Sequence, residues 1–139
     1  MKKKLVFVAM ALLLLCVVSL AACVDPALKE VEGTYEMTDI CGTISGVDVT
    51  PDMYEYFRII LDGKGNGKVQ SKGKGIGAAT YEAEGTYTYK DGKIEFTTKN
   101  SAIKATETYD YADGVITYTV NQGEINFTVT FKRVENEQK

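Results

Sequence analysis

Several short patterns in this 139-residue chain match spacings that carry chemistry in other proteins. Gly73-Lys74-Gly75-Ile76-Gly77-Ala78 has the G-x-G-x-x-A spacing that cradles a pyrophosphate. Asp62-x-Lys64-x-Asn66-Gly67 opens like a calcium loop, and Ser71-x-x-Lys74 and Ser101-x-x-Lys104 have the spacing of an acylating serine and its lysine. Each lacks the partner that makes its chemistry work. No helical pattern follows the glycines, so no helix N-terminus would meet a phosphate. The calcium-like run has Lys64 at its third position and Gly73 at its twelfth, where carboxylate ligands are needed. The serine–lysine pairs belong on a helix in a much longer chain. There is no His, which removes the Ser-His-Asp triad, the Cys-His dyad, His-ligated zinc and His-held haem. Cys41, without a His to take its proton, reads as a half-buried structural residue. Carboxylates are plentiful, but no spacing forces a pair together. We therefore expect no catalytic residue, metal site or cofactor, and a protein that is not an enzyme.

The residues left with binding chemistry are aromatic. There are nine tyrosines and five phenylalanines but no Trp. From Gly33 onward the apolar residues recur with a period of two, the signature of strands. Tyr81, Ala83, Gly85, Tyr87 and Tyr89 fall on one face of the clearest strand, followed by the hairpin turn Asp91-Gly92. The run Tyr109–Tyr118, with Asp113-Gly114 at its turn, repeats Tyr87–Phe96 at an offset of 22, so one hairpin is used twice. With Phe127 facing inward, the alternation turns Tyr87, Tyr89, Tyr109, Tyr111 and Tyr118 inward too. Glu107 shares the parity of Tyr109, and Asp39 shares that of Tyr35 and Met37. A buried carboxylate needs donors, which tyrosine hydroxyls supply. Tyr87, Tyr89, Glu107, Tyr109, Tyr111 and Tyr118 are thus the candidate ligand-binding set, with Ala83 and Gly85 leaving space beside them. In the opposing reading the same side chains satisfy one another in a filled core.

These side chains have to be positioned by strands, and eight are expected: about 33–40, 56–61, 67–72, 79–90, 93–99, 103–112, 115–120 and 124–134. The later connections are short, so sequential strands pair antiparallel. The fold expected is all-β, an eight-stranded antiparallel up-and-down barrel, with a β-sandwich as the alternative. The one long connection, 41–55, contains Gly42, Gly46 and the helical start Thr50-Pro51-Asp52-Met53. It reads equally well as a plain surface loop.

Ahead of the strands, Lys2, Lys3 and Lys4 precede an apolar run from Leu5 to Leu20, the charged and apolar regions of an export signal. Those sixteen residues fall short of the roughly 20 that span a bilayer. The run ends in Leu20-Ala21-Ala22-Cys23, which resembles the bacterial lipobox. That resemblance implies cleavage after Ala22, a lipid-modified Cys23 as the mature N-terminus, and attachment to the extracytoplasmic face of the cell membrane. Residues 1–22 are then the signal peptide, 23–32 a tether ending in a short turn of helix, 33–134 the barrel and 135–139 a tail. Removing three lysines from 16 basic residues leaves 13 against 19 acidic ones, a net charge of −6. So acidic a chain is a poor match for nucleic acid.

Gly33-Thr34-Tyr35 at the start of the first strand, the Asp-Gly hairpins, and Phe131-Lys132-Arg133 at the end of the last are similar to the bacterial lipocalin-like lipoproteins. Lipocalins carry Gly-x-Trp at that first position, and here Tyr35 stands where the Trp would be. The resemblance implies that Arg133 packs over Tyr35 at a closed barrel end and that 41–55 folds over the open mouth as a lid. Two functions follow as expectations: binding of a small apolar or amphipathic ligand, or a filled barrel whose loops meet an envelope protein as an interaction or inhibitor module. Replacing Cys23 with Ala is expected to abolish metabolic labelling of the protein by fatty acid; labelling that persists would contradict the lipobox reading.

Overall fold

The computed structural model describes residues 24–99 and 105–135. The expected signal peptide, Cys23, the Ser101–Lys104 pair and all but the first residue of the expected tail lie outside them. The chain begins with one helical turn, α1 (Ala27–Glu30), and continues as β1 (Gly33–Ile44), β2 (Val47–Asp48), β3 (Tyr54–Leu61), β4 (Asn66–Gly73), β5 (Thr80–Lys90), β6 (Lys93–Thr98), β7 (Thr106–Ala112), β8 (Val115–Gln122) and β9 (Ile125–Arg133). Except for β2, each strand pairs antiparallel with the next in order, β1 with β3, and β9 returns to pair with β1. The result is a closed eight-stranded up-and-down barrel with β2 added outside it, in which every strand of the cylinder pairs on both sides along at least part of its length.

The alternation sets the interior as expected. Ile59 and Leu61 of β3, Val69 of β4, Tyr87 of β5, Ile94 and Phe96 of β6, Tyr109 of β7, Ile116 of β8 and Val129 and Phe131 of β9 form the buried core. Asp91-Gly92 and Asp113-Gly114 both adopt paired left-handed conformations, with φ of 52° and 72° and of 50° and 78°. These are the primed turns whose twist matches a two-residue hairpin. Asp62 closes the β3–β4 turn: its Oδ1 accepts from the Lys64 and Asn66 amides at 2.7 and 3.0 Å and its Oδ2 from the Asn66 side chain at 2.8 Å. The calcium-like run is therefore a turn lock. Burial alone would raise the Asp62 carboxyl, but these donors hold it below its ordinary range.

β1 departs from the sequence reading, and one bulge explains how. Its register with β9 slips between Met37 and Asp39. An inserted residue reverses the parity beyond it. Ile40 turns in and is 3% exposed, whereas Asp39 and Cys41 turn out into solvent. Neither Asp39 as an inward group nor Cys41 as a half-buried one survives this slip. β1 also runs four residues past the expected end, because Gly42 is a contact point and not a stop. A Cβ at Gly42, where φ is +129°, would collide with the Asn126 carbonyl and stand 2.6 Å from Phe127 Cα.

Ser45-Gly46, with φ of 52° and 77°, then forms a third primed turn into β2. Above Glu36, β1 pairs with β9 and not with β3, and the first half of β3 pairs only with β4. Val49, 7% exposed, packs into the core at this end, and its amide donates to the Gly42 carbonyl at 3.0 Å. Segment 41–55 is accordingly strand, turn and wall instead of a free lid.

Gly67 and Gly85 lie opposite each other on β4 and β5, both facing inward. A Cβ at Gly67 would stand 3.0 Å from the Phe96 ring, and one at Gly85 2.7 Å from it and against the Thr97 carbonyl. The two glycines make the notch that Phe96 fills, so the space beside Gly85 is occupied by protein. Gly85→Ala is expected to destabilise the fold by about 1–3 kcal/mol through overpacking. An unchanged midpoint in chemical denaturation would show that the notch is not needed.

Candidate functional site

The interior is divided into two ends, and the six candidate residues divide with it. Strand direction places α1, the Asp-Gly turns, the start of β1 and the end of β9 at one end. The β1–β2 turn, the 74–79 link and the β8–β9 turn lie at the other.

At the first end α1 and Val31 plug the barrel. Val31 is fully buried beneath the helical turn. The final carbonyls of a helix have no partner within it and must find donors elsewhere. Here tyrosines and one arginine provide them. Tyr35 Oη donates to Val31 O at 2.8 Å, Tyr111 Oη to Glu30 O at 3.2 Å and Tyr87 Oη to Leu28 O at 3.3 Å. Arg133 Nη2 donates to Glu30 O at 2.6 Å, to Tyr35 Oη at 2.7 Å and to Tyr111 Oη at 3.0 Å. The Arg133 guanidinium carbon sits 5.3 Å from the Tyr35 ring centroid, a cation–π distance. The expected Arg133–Tyr35 contact is therefore present. Tyr89 Oη donates to the Glu30 side chain at 3.3 Å, and Tyr87 Oη accepts from the Gly63 amide at 3.0 Å. Tyr87, Tyr89 and Tyr111 are thus committed to holding the plug.

The other three candidates come together at the opposite end, around a cavity of about 240 Å³. Glu107 stands near the mouth at the start of β7. Tyr109, one inward position deeper, donates to Glu107 Oε2 at 2.6 Å, and Tyr118 on β8 donates to Oε1 at 3.1 Å. The two phenol rings lie 4.8 Å apart between centroids. Phe57, Phe127, Phe131 and Tyr81 add aromatic wall, and Ala83 and Val69 form the β4–β5 side. Phe57, Tyr81 and Thr98 are lining residues that the sequence reading left out of the site. For Tyr81 the signal was available, since it shares the inward parity of Ala83. Thr98 Oγ1 is buried on this wall with no hydrogen-bond partner among the described residues.

The electrostatics separate the two ends. Burial pushes the Tyr35 phenol up to about 12, against the lowering pull of Arg133. Burial, followed by the facing Glu107 carboxylate, pushes Tyr118 up to about 12 and Tyr109 higher still. Among the described residues no Lys or Arg lines the cavity, and Glu107 is its one carboxylate, set among apolar and phenolic walls.

These shifts carry a sign. Between the ordinary phenol value of 10.0 and about 12 the folded protein keeps protons that the unfolded chain has lost. Stability is then full below the ordinary value and falls as pH rises toward the folded one. A spectrophotometric titration should show the Tyr35 and Tyr118 phenols ionising only above the ordinary value, as the barrel unfolds. A single transition of all phenols at the ordinary value, with stability unchanged, would contradict this. Comparison with protein-family models, with curated proteins and with solved structures found no significant match to this chain.

Proposed function

We propose that this protein is a small-molecule-binding barrel of lipocalin-like type, held by a lipidated Cys23 on the extracytoplasmic face of a cell membrane, and that it binds rather than transforms its ligand. The observation that carries the reading is the cavity between Glu107 and Ala83, aromatic in its walls with a polar cluster on one side. Ligand sites are concave, mostly apolar, and fixed in orientation by a few polar groups. Size narrows the ligand class. A cavity of roughly 150 Å³ takes a benzene-sized molecule, and drug-sized sites run from about 300 Å³ upward. At about 240 Å³ the space suits a compact amphipathic molecule and is too small for a long acyl chain.

The lipobox supports the anchor, and the plugged end supports an orientation. With Cys23 as the mature N-terminus, the helical turn that docks on the barrel begins four residues later, at Ala27. At about 3.4 Å per extended residue, four residues hold the plugged end within roughly 14 Å of the anchor, with the mouth facing away from the membrane.

A second reading has its own observation. Ile44, Val47, Met53, Ile76, Tyr81 and Ile125 are exposed apolar residues, all at the mouth end. Exposed apolar side chains gathered at one end of a barrel favour a partner surface, so an envelope protein docking on this rim is the alternative to a ligand entering.

A heteronuclear NMR titration with indole separates the two. The binding reading predicts saturable shifts of Ile59, Val69 and Ala83 methyl groups, abolished in Ala83→Leu, which narrows the cavity. Shifts confined to the rim residues, or none at all, would overturn it.

A further inference from the structure

The cavity's charge pattern names its ligand class. This inference rests on the binding reading above and deepens it. Among the described residues the site has one carboxylate and no cation: Glu107 makes no ion pair there, and its two partners are phenols. A carboxylate has about four acceptor positions, and Tyr109 and Tyr118 use two. The remaining lone pairs stand at the cavity wall, where burial weakens their hydration and raises the value of a charged donor.

The other walls favour the same partner. Tyr81, Tyr109, Tyr118, Phe57 and Phe127 line the space, and an aromatic ring attracts a cation that meets its face. An anion entering here would face Glu107 with no positive group among the described residues to meet it. A neutral molecule would leave the carboxylate as it is and gain only apolar burial. We infer that the occupant is a small organic monocation, a primary amine on an aromatic or short aliphatic body. Its ammonium group donates to Glu107, and its body lies against the rings toward Ala83 and Val69. The net charge of −6 after signal removal draws cations toward the protein as a whole.

Three probes of matched shape and different charge decide the question: 2-phenylethylamine, 2-phenylethanol and 3-phenylpropionate, each titrated into the purified protein by calorimetry and followed by NMR. The expected result is that the amine binds at least about tenfold tighter than the alcohol, the difference one charge-assisted hydrogen bond supplies, with the acid weakest. Glu107→Gln should bring the amine down to the alcohol's affinity while leaving the alcohol unchanged. If that variant does not fold, the comparison in the unsubstituted protein still decides. Alcohol or acid binding as tightly as the amine would overturn the monocation inference and leave the cavity reading standing. Three probes that leave the cavity methyl groups unmoved would overturn both.

Discussion

The structure depends on one polar lock. Arg133, at the end of the last strand, reaches Glu30 O, Tyr35 Oη and Tyr111 Oη together, and so ties β9, β1, β7 and α1 at a single point. The constraint behind it is that a helical turn cannot be docked over a barrel unless its free carbonyls find donors. Leaving one such buried acceptor unpaired costs about 1–3 kcal/mol, a large share of the stability of a small domain. Three tyrosine hydroxyls and one guanidinium meet that demand, and Val31 is driven into the barrel beneath them. The same arrangement fixes closure, since Tyr35 lies directly opposite Arg133 in the β1–β9 register.

Sealing one end determines what the other can do. The middle of the barrel is filled by Phe96 set in the Gly67–Gly85 notch, with Ile94, Ile116 and Phe131 packed toward the plug. Among the described residues, space remains beyond this layer, where Ala83 is small and β1 and β3 have parted. Glu107 stays there because Tyr109 and Tyr118 give its oxygens donors. Interior tyrosine therefore does two jobs in one barrel, holding a plug at one end and solvating a carboxylate at the other.

The barrel was legible in the chain because its causes are local. Period-two alternation, Asp-Gly turns and short connections act within ten or so residues, and they place eight strands and the inward face of β3 and of β5 to β9. Ser45-Gly46 is equally local and was passed over because Gly42 just before it reads as a loop signal. Gly42 instead answers to Asn126 and Phe127 across the barrel, a contact distant in the chain. The slip at Thr38 has the same character. It satisfies the curvature of a strand shared between two partners, and nothing in Met37-Thr38-Asp39 announces it.

The site was half legible. Inward parity correctly grouped the tyrosines with Glu107, but parity does not say at which end of a strand a residue sits. Tyr89 and Tyr111 lie two residues from an Asp-Gly turn and Glu107 lies six from one, but Tyr87, Tyr109 and Tyr118 all lie four away, so distance from the turns does not sort them. What separates the groups is the docking of α1 at the Asp-Gly end, which four helical residues with two apolar side chains do not reveal.

The account turns on an interior that is closed and filled at the Arg133 end and open at the Glu107 end. A crystal structure of the protein under xenon pressure tests this directly, because xenon enters apolar cavities and reports where they are. The account predicts xenon between Ala83, Val69 and Phe127 and none between Val31 and Tyr35. A barrel whose Glu107 end excludes xenon, or whose Arg133 end admits it, would contradict the account.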